Sequence, residues 1–214
     1  GIVNDAQLML FASRDAGLQR KTQERIGRAM KRVSDLKAQA VSRGDEPGAN
    51  LMLGFECVFR CLAEELEMWI QLKAGEADKA WDALIHAEDA AVGAARAHPG
   101  FAHLPEHLKR LEALERLVFP GQVFVSSGFI VRRQVCTICE QDYDDCGHIA
   151  GQPYWGEFCT IRQEEISLDH VSLVEDPASK LCRITHSGEG ASRQNRMTGL
   201  PDPGEDRNFN ARIV

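Results

Sequence analysis

The chain has 214 residues, 43% of them apolar, and a formal net charge of −7. That length holds one large domain or two small ones, and no apolar run approaches the roughly 20 residues that a bilayer-crossing helix needs. An acidic balance argues against a general nucleic-acid coat, but the charge is uneven: between Arg14 and Arg43 nine Lys/Arg meet three Asp/Glu, a local +6 that leaves −13 on the rest. No charged-then-apolar secretory segment is recognisable at the start. With seven cysteines the expectation is a protein of the reducing cytoplasm. The first residue is Gly rather than Met, which reads as a processed or tagged start.

Residues 5–42 read as a helix in which Ile26, Met30, Val33, Lys37 and Ala40 form a stripe, with Lys37 as its one polar member. The run Gly44-Asp45-Glu46-Pro47-Gly48 reads as a loop. Asn50 is then the expected N-cap of a central buried helix, Leu51 to Ala74. Within it Cys57 and Cys61 lie one turn apart and read as buried thiols, and Glu64, Glu65 and Glu67 read as a solvent-facing acidic turn. A third helix, Glu76 to His98, carries the small-residue face Ala77, Ala80, Leu84, Ala87, Ala91 and Ala94, suited to close approach of a neighbour. Its hint of a helical hairpin finds no second copy at a fixed period, so a repeat array is rejected. A short fourth helix, Pro105 to Leu117, includes His107; with His103 it makes a pair spaced by four that lacks a third ligand.

Pro120-Gly121 marks a change of regime. Gln122 to Val135 is β-branched and aromatic, and three further strands are expected at Glu157–Glu165, Ser167–Val174 and Lys180–Thr185. From Ser187 onward the residues are Gly, Pro, Ser, Asn and charged, which predicts a mobile tail. The expected fold class is α+β: an N-terminal helical bundle (1–120), a small antiparallel β domain with a zinc-binding loop (121–186), and a flexible tail (187–214).

The chemistry concentrates between Cys136 and Cys159, where four cysteines and one histidine fall within 24 residues as Cys136-x2-Cys139-x6-Cys146-x-His148, with Cys159 eleven residues beyond His148. A Cys-x2-Cys turn aims two thiolates at one point, and thiolates with an imidazole select Zn²⁺. Four ligands complete a tetrahedral site, and here there are five candidates. Cys136, Cys139, Cys146 and His148 are the first choice for one structural Zn²⁺, with Cys159 able to displace Cys146. A catalytic zinc would keep one position for water and use a nearby carboxylate, for which Glu140, Asp142, Asp144 and Asp145 are at hand. A disulfide framework fits poorly with an odd cysteine count.

Two short motifs flank this loop: Ser126-Ser127-Gly128-Phe129 before it, and Val171-Ser172-Leu173-Val174-Glu175-Asp176-Pro177-Ala178 after it. In these, and in a Gly151, Tyr154, Gly156, Cys159 pattern that continues the cysteine cluster, residues 122–185 resemble the second half of phage prohead (capsid-maturation) serine proteases that carry a zinc-binding insertion. The resemblance implies a serine nucleophile on the first strand, at Ser126 or Ser127. It also implies a base histidine upstream, where this sequence reads as helices; His170 and His186 lie downstream. A serine with no base in reach is a poor nucleophile, although chain order alone does not exclude a triad.

The favoured expectation is therefore a non-catalytic, zinc-stabilised interaction or adaptor subunit of a larger bacterial or phage-type assembly, with a protein partner and no membrane. The alternatives are a serine peptidase using Ser127 with His170, and a nucleic-acid contact through residues 14–43. The acidic Cys136–Cys159 loop speaks against a DNA-reading finger.

Overall fold

The structure, a computed structural model, describes residues 1–188 and 192–202 and the backbone of Phe209–Ala211. Five α-helices are followed by short sheets, so the class is α+β as expected. In chain order these are α1 (Ile2–Gln7), α2 (Ala16–Ser42), α3 (Glu46–Lys73), α4 (Ala77–Ala97), a 3-10 turn (Pro99–Phe101), α5 (Leu104–Val118), β1 (Phe124–Cys136), β2 (Pro153–Tyr154), β3 (Glu157–Phe158), β4 (Ile161–Val174), β5 (Ile184–Ser187), β6 (Gln194–Asn195) and β7 (Phe209–Ala211). No helix among the described residues is long and apolar enough to cross a membrane.

Contacts divide the chain into two units. One joins Gly1–Ala113 to Arg133–Glu164; the other joins Leu114–Arg132 to Glu165–Val214. The boundary expected at residue 120 is thereby redrawn, because the cysteine-bearing segment packs with the helices rather than with the later strands.

In the first unit the single helix expected over residues 5–42 is two. The chain leaves helical geometry after α1 and re-enters at Asp15, whose carboxylate accepts from Leu18 N–H at 3.0 Å as the cap of α2. Gln19 is fully buried and pins the intervening turn, its Nε2 donating to the Met9 and Phe11 carbonyls at 2.8 and 3.3 Å. Ala6, Leu10, Ile26, Phe59, Leu62 and Leu66 then close one core between α1, α2 and α3.

The central helix starts earlier than expected. Asp45, not Asn50, caps it by accepting from Gly48 N–H at 2.9 Å. Pro47 sits in the first turn, where its missing N–H has no intrahelical partner to lose. The apparent loop 44–48 is thus the cap and first turn of α3, and the Asn50 amide is left free for another contact. The acidic turn is corrected as well: Glu65 is fully buried, with both carboxylate oxygens 2.6 Å from Arg110 Nη2 and Oε2 alone 3.2 Å from His107 Nε2, a charge contact without hydrogen-bond alignment. Glu67 accepts from Gln23 and Gln71. A buried carboxylate is tolerated because it is paired and hydrogen-bonded.

On α4 the small-residue face is buried from Ala80 on, Ala80, Leu84, Ala87 and Ala94 being inaccessible and Ala91 nearly so, whereas Ala77 at the helix start is only partly buried. Gly54 on α3 lets the Phe101 ring lie against the helix backbone, and Phe55 meets the same ring edge-on at 5.1 Å. Burial pushes the Cys57 and Cys61 thiols above their ordinary pKa; Cys61 is buried as expected, whereas Cys57 is only partly buried and lines a cleft beside α4.

In the second unit β5 pairs antiparallel with β6 (His186 opposite Asn195) and with β7 (Ile184 opposite Ala211). The expected mobile tail is therefore corrected for Ser187, for 194–195 and for 209–211, whose backbones are held in this sheet; Met197 is also buried. Residues 189–191, 203–208 and 212–214 lie outside the described residues. β1 and β4 form a two-stranded sheet, and the chain changes unit within both strands. The two strands expected at 157–165 and 167–174 are mostly this one β4, with Glu165 in left-handed geometry (φ 52°) where the break was expected.

Gly54 supplies a prediction whose sign opposes intrinsic propensity. Gly to Ala inside a helix ordinarily stabilises by about 0.5–1 kcal/mol, but a Cβ at Gly54 would fall inside the Phe101 ring. Gly54→Ala should instead destabilise by about 1–3 kcal/mol in urea titration; a stabilised variant would contradict the packing of Phe101 on α3.

Candidate metal centre

The loop between β1 and β4 is built as two knuckles and a hairpin. β1 ends at Cys136, and the chain turns at once: Glu140 N–H donates to the Cys136 carbonyl at 2.9 Å, with Glu140 itself at φ 57°. Within this turn the Ile138 N–H donates to Cys136 Sγ at 3.4 Å. The second knuckle repeats the device, His148 N–H donating to Cys146 Sγ at 3.2 Å. Backbone N–H groups aimed at sulfur favour the thiolate over the thiol. At Cys136 burial opposes the charge, but hydrogen bonds from the Cys139 and Ile138 N–H groups, with smaller help from the Cys146 and Cys159 thiols, outweigh it and lower the pKa to about 6. Cys146 goes the other way, pushed up to about 11 by burial and by the neighbouring Cys136 and Cys139.

Donor atoms of Cys136, Cys139, Cys146 and His148 all lie within 4.8 Å of one another. Cys139 Sγ is 3.6 Å from Cys146 Sγ, and His148 Nδ1 is 3.7 Å from Cys136 Sγ and 3.4 Å from Cys146 Sγ. An ion with metal–sulfur bonds of about 2.3 Å and metal–nitrogen bonds of about 2.0 Å has tetrahedral edges of about 3.8 Å between sulfurs and about 3.5 Å between sulfur and nitrogen. These contacts fit those edges, so the four residues can hold a metal ion. Cys159 is placed differently. Its sulfur is 3.7 Å from Cys136 Sγ but falls outside the group of four, and its thiol is pushed up by burial. The acidic residues of the loop stay at its surface: Glu140 pairs with Arg162 at 2.6 Å, and the Asp142 carboxylate caps the turn at Asp144 N–H.

Several residues that hold this loop had no counterpart among the expected site residues. Tyr143 Oη accepts from Ala150 N–H and Tyr154 Oη from Ile149 N–H, both at 3.0 Å, and the Tyr154 ring packs edge-on against His148 at 4.6 Å. β2 and β3 form a hairpin, Tyr154 opposite Glu157, closed by Trp155 and Gly156 with φ of 51° and 82°. Positive φ at both turn positions is the two-residue geometry that suits the strand twist. This turn is seated on the helices: Gly156 N–H donates to Asn50 Oδ1 at 2.8 Å and Trp155 N–H to Glu46 Oε1 at 3.3 Å. The Lys37 stem would crowd any Cβ at Gly156, and its ammonium pairs with Glu56 at 2.6 Å. The one polar member of the α2 stripe is thus part of the seat. The visible signal was the pair of tyrosines among polar residues, aromatic bodies with a polar tip; the Asn50 contact spans 106 residues and leaves no local trace.

The expected serine nucleophile and His170 lie in the second unit. His170 lies over Gly128, so that a side chain at 128 would collide with its ring, and His170 Nδ1 is 3.0 Å from Asp169 Oδ2. Ser127 Oγ is buried with no hydrogen-bond partner. The nucleophile–base contact that Ser127 and His170 would need is not formed. His103, in the first unit, lines a small apolar cavity beside His107, which serves Glu65.

No protein-family model, no curated protein and no solved structure matches this chain.

The seat predicts a remote effect on the centre. Asn50→Ala removes the acceptor of the Gly156 N–H and should cost about 1–2 kcal/mol. It should also weaken metal binding about tenfold in a competitive chelator titration, although Asn50 touches no ligand. An unchanged affinity would mean that the loop closes on the ion independently of the helices.

Proposed function

We propose that this chain is a non-catalytic, zinc-stabilised interaction subunit that docks on a protein partner in a larger assembly. What carries the interaction reading is the outer part of the β1–β4 sheet: Phe129, Ile130, Ile166, Leu168, Val171 and Leu173 are large apolar side chains 42 to 69% exposed. Exposed apolar side chains gathered in this number on one small sheet mark an interaction site more often than singly scattered ones do. Two strands alone are also a marginal sheet, which a covering partner would stabilise.

Zinc is the metal this reading takes, because three soft thiolates and an imidazole at tetrahedral spacing suit it better than harder ions. With all four positions filled by protein the ion has no place for a substrate or a reactive water, so its role is to fold the loop, a contribution of roughly 10 kcal/mol or more. The absence of a Ser127–histidine contact supports placing catalysis second. Kinship with prohead proteases enters only as a scaffold reused for contact, and a reducing, cytoplasmic setting belongs to this reading because thiolate ligands require reduced cysteines.

Native mass spectrometry of the protein isolated from its own source should find one zinc per chain and a larger bound protein. The paired substitution Leu168→Glu and Leu173→Glu should lose that partner with the melting temperature unchanged. Labelling by a fluorophosphonate probe that disappears in Ser127→Ala would overturn the proposal in favour of a serine peptidase.

A further inference from the structure

The loop offers five soft or borderline donors for four positions, and the fifth lies in contact with one of the four. Cys159 Sγ is 3.7 Å from Cys136 Sγ, and both residues are fully buried. Their segments are laced together on one side, Thr137 N–H donating to the Thr160 carbonyl at 3.1 Å and Thr160 N–H to Thr137 Oγ1 at 2.9 Å. A second lacing sets Cys159 from the other side: its N–H donates to the Gln152 carbonyl at 2.9 Å, and its own carbonyl accepts from Gly151 N–H at 2.8 Å. The Cys159 thiol is thus held beside Cys136 by backbone geometry that does not depend on the ion.

Cys159 also lies beneath a cleft, although its own side chain is not exposed. A cleft of about 810 Å³ runs between α3, α4 and the loop, lined by Cys57, Glu64, His86, Gly93, Phe158 and Cys159 among others. Cys139 and Cys146 are as close to each other as Cys136 and Cys159, but both belong to the four-donor set. The Cys136–Cys159 pair instead joins a member of the donor set to a cysteine outside it.

We infer that Cys136 and Cys159 form an oxidative modification site, a reversible disulfide made by peroxide that takes Cys136 out of the donor set and releases the metal. The inference rests on the proposed zinc centre. Peroxide oxidises one sulfur of the pair to a sulfenic acid, and the other sulfur displaces hydroxide from it. In sum, the Cys136 thiolate, the Cys159 thiol and one hydrogen peroxide give one disulfide, one water and one hydroxide. Two electrons leave the sulfurs and cleave the O–O bond. The three donors left, Cys139, Cys146 and His148, form an incomplete site whose affinity falls.

The test uses the full chain loaded with zinc, hydrogen peroxide as the oxidant, a chromogenic zinc indicator, and peptide mapping of disulfides. Wild type should release one equivalent of zinc as a Cys136–Cys159 disulfide accumulates, and a dithiol reductant with added zinc should restore the loaded form. Cys159→Ser keeps the four donors, so it should bind one zinc as wild type does and release it at least tenfold more slowly under peroxide. Equal release rates, or a Cys139–Cys146 disulfide in wild type, would overturn the inference. Should Cys159→Ser fail to hold zinc while Cys146→Ser holds it, Cys159 is a ligand: the modification site is then refuted and the metal centre stands with a different donor set. Wild type that binds no zinc would refute the centre itself and this inference with it.

Discussion

The convergence of four soft donors is the constraint on which the loop depends. Between Cys136 and Cys159 there is little apolar substance: Ile138, Ile149 and Trp155 are at least partly exposed, and the fully buried side chains are those of Cys136 and Cys159. A segment of this composition cannot offset its ordering entropy by burying hydrocarbon. What replaces a core is a polar frame in which backbone N–H groups point at sulfur, tyrosine hydroxyls catch further N–H groups, and a tight hairpin closes the far end. Such a frame places the donors, and an ion bound by them would supply the cohesion that the missing core does not.

The frame does not stand alone. Its hairpin turn spends two backbone N–H groups on side chains of α3, Asn50 and Glu46, and rests against Lys37 of α2. The helical residues that hold the turn are in turn fixed by ordinary packing, α3 lying between α2 and the alanine face of α4. Position therefore passes from helix packing to one amide and one carboxylate, then to a two-residue turn, and from there to the knuckles. This is why the cysteine segment belongs with the helices and not with the strands that follow it in sequence.

Sequence reasoning read the helices, the change of regime near Pro120 and the cysteine–histidine cluster because each has a local signature: a 3.6-residue period, a shift to β-branched residues, a Cys-x2-Cys spacing. It misread Asp45-Glu46-Pro47 as a loop because a capping aspartate followed by a first-turn proline shares its composition with a turn. It placed Glu65 in solvent because the partners that permit its burial, Arg110 and His107, are more than 40 residues away. It drew the domain boundary at a composition change, whereas the cysteine segment groups with the helices, on which Gly156 meets Asn50. It also left Cys146 and Cys159 as alternatives, since spacing fixes which residues can converge but not which of them share one centre.

The most direct test is zinc K-edge X-ray absorption on the metal-loaded protein. A closed centre of Cys136, Cys139, Cys146 and His148 predicts three sulfurs at about 2.3 Å, one nitrogen at about 2.0 Å and no oxygen ligand. Four sulfurs would put Cys159 in the place of His148, and an oxygen in the first shell would mean an open, reactive site; either spectrum would contradict a closed centre of three cysteines and one histidine.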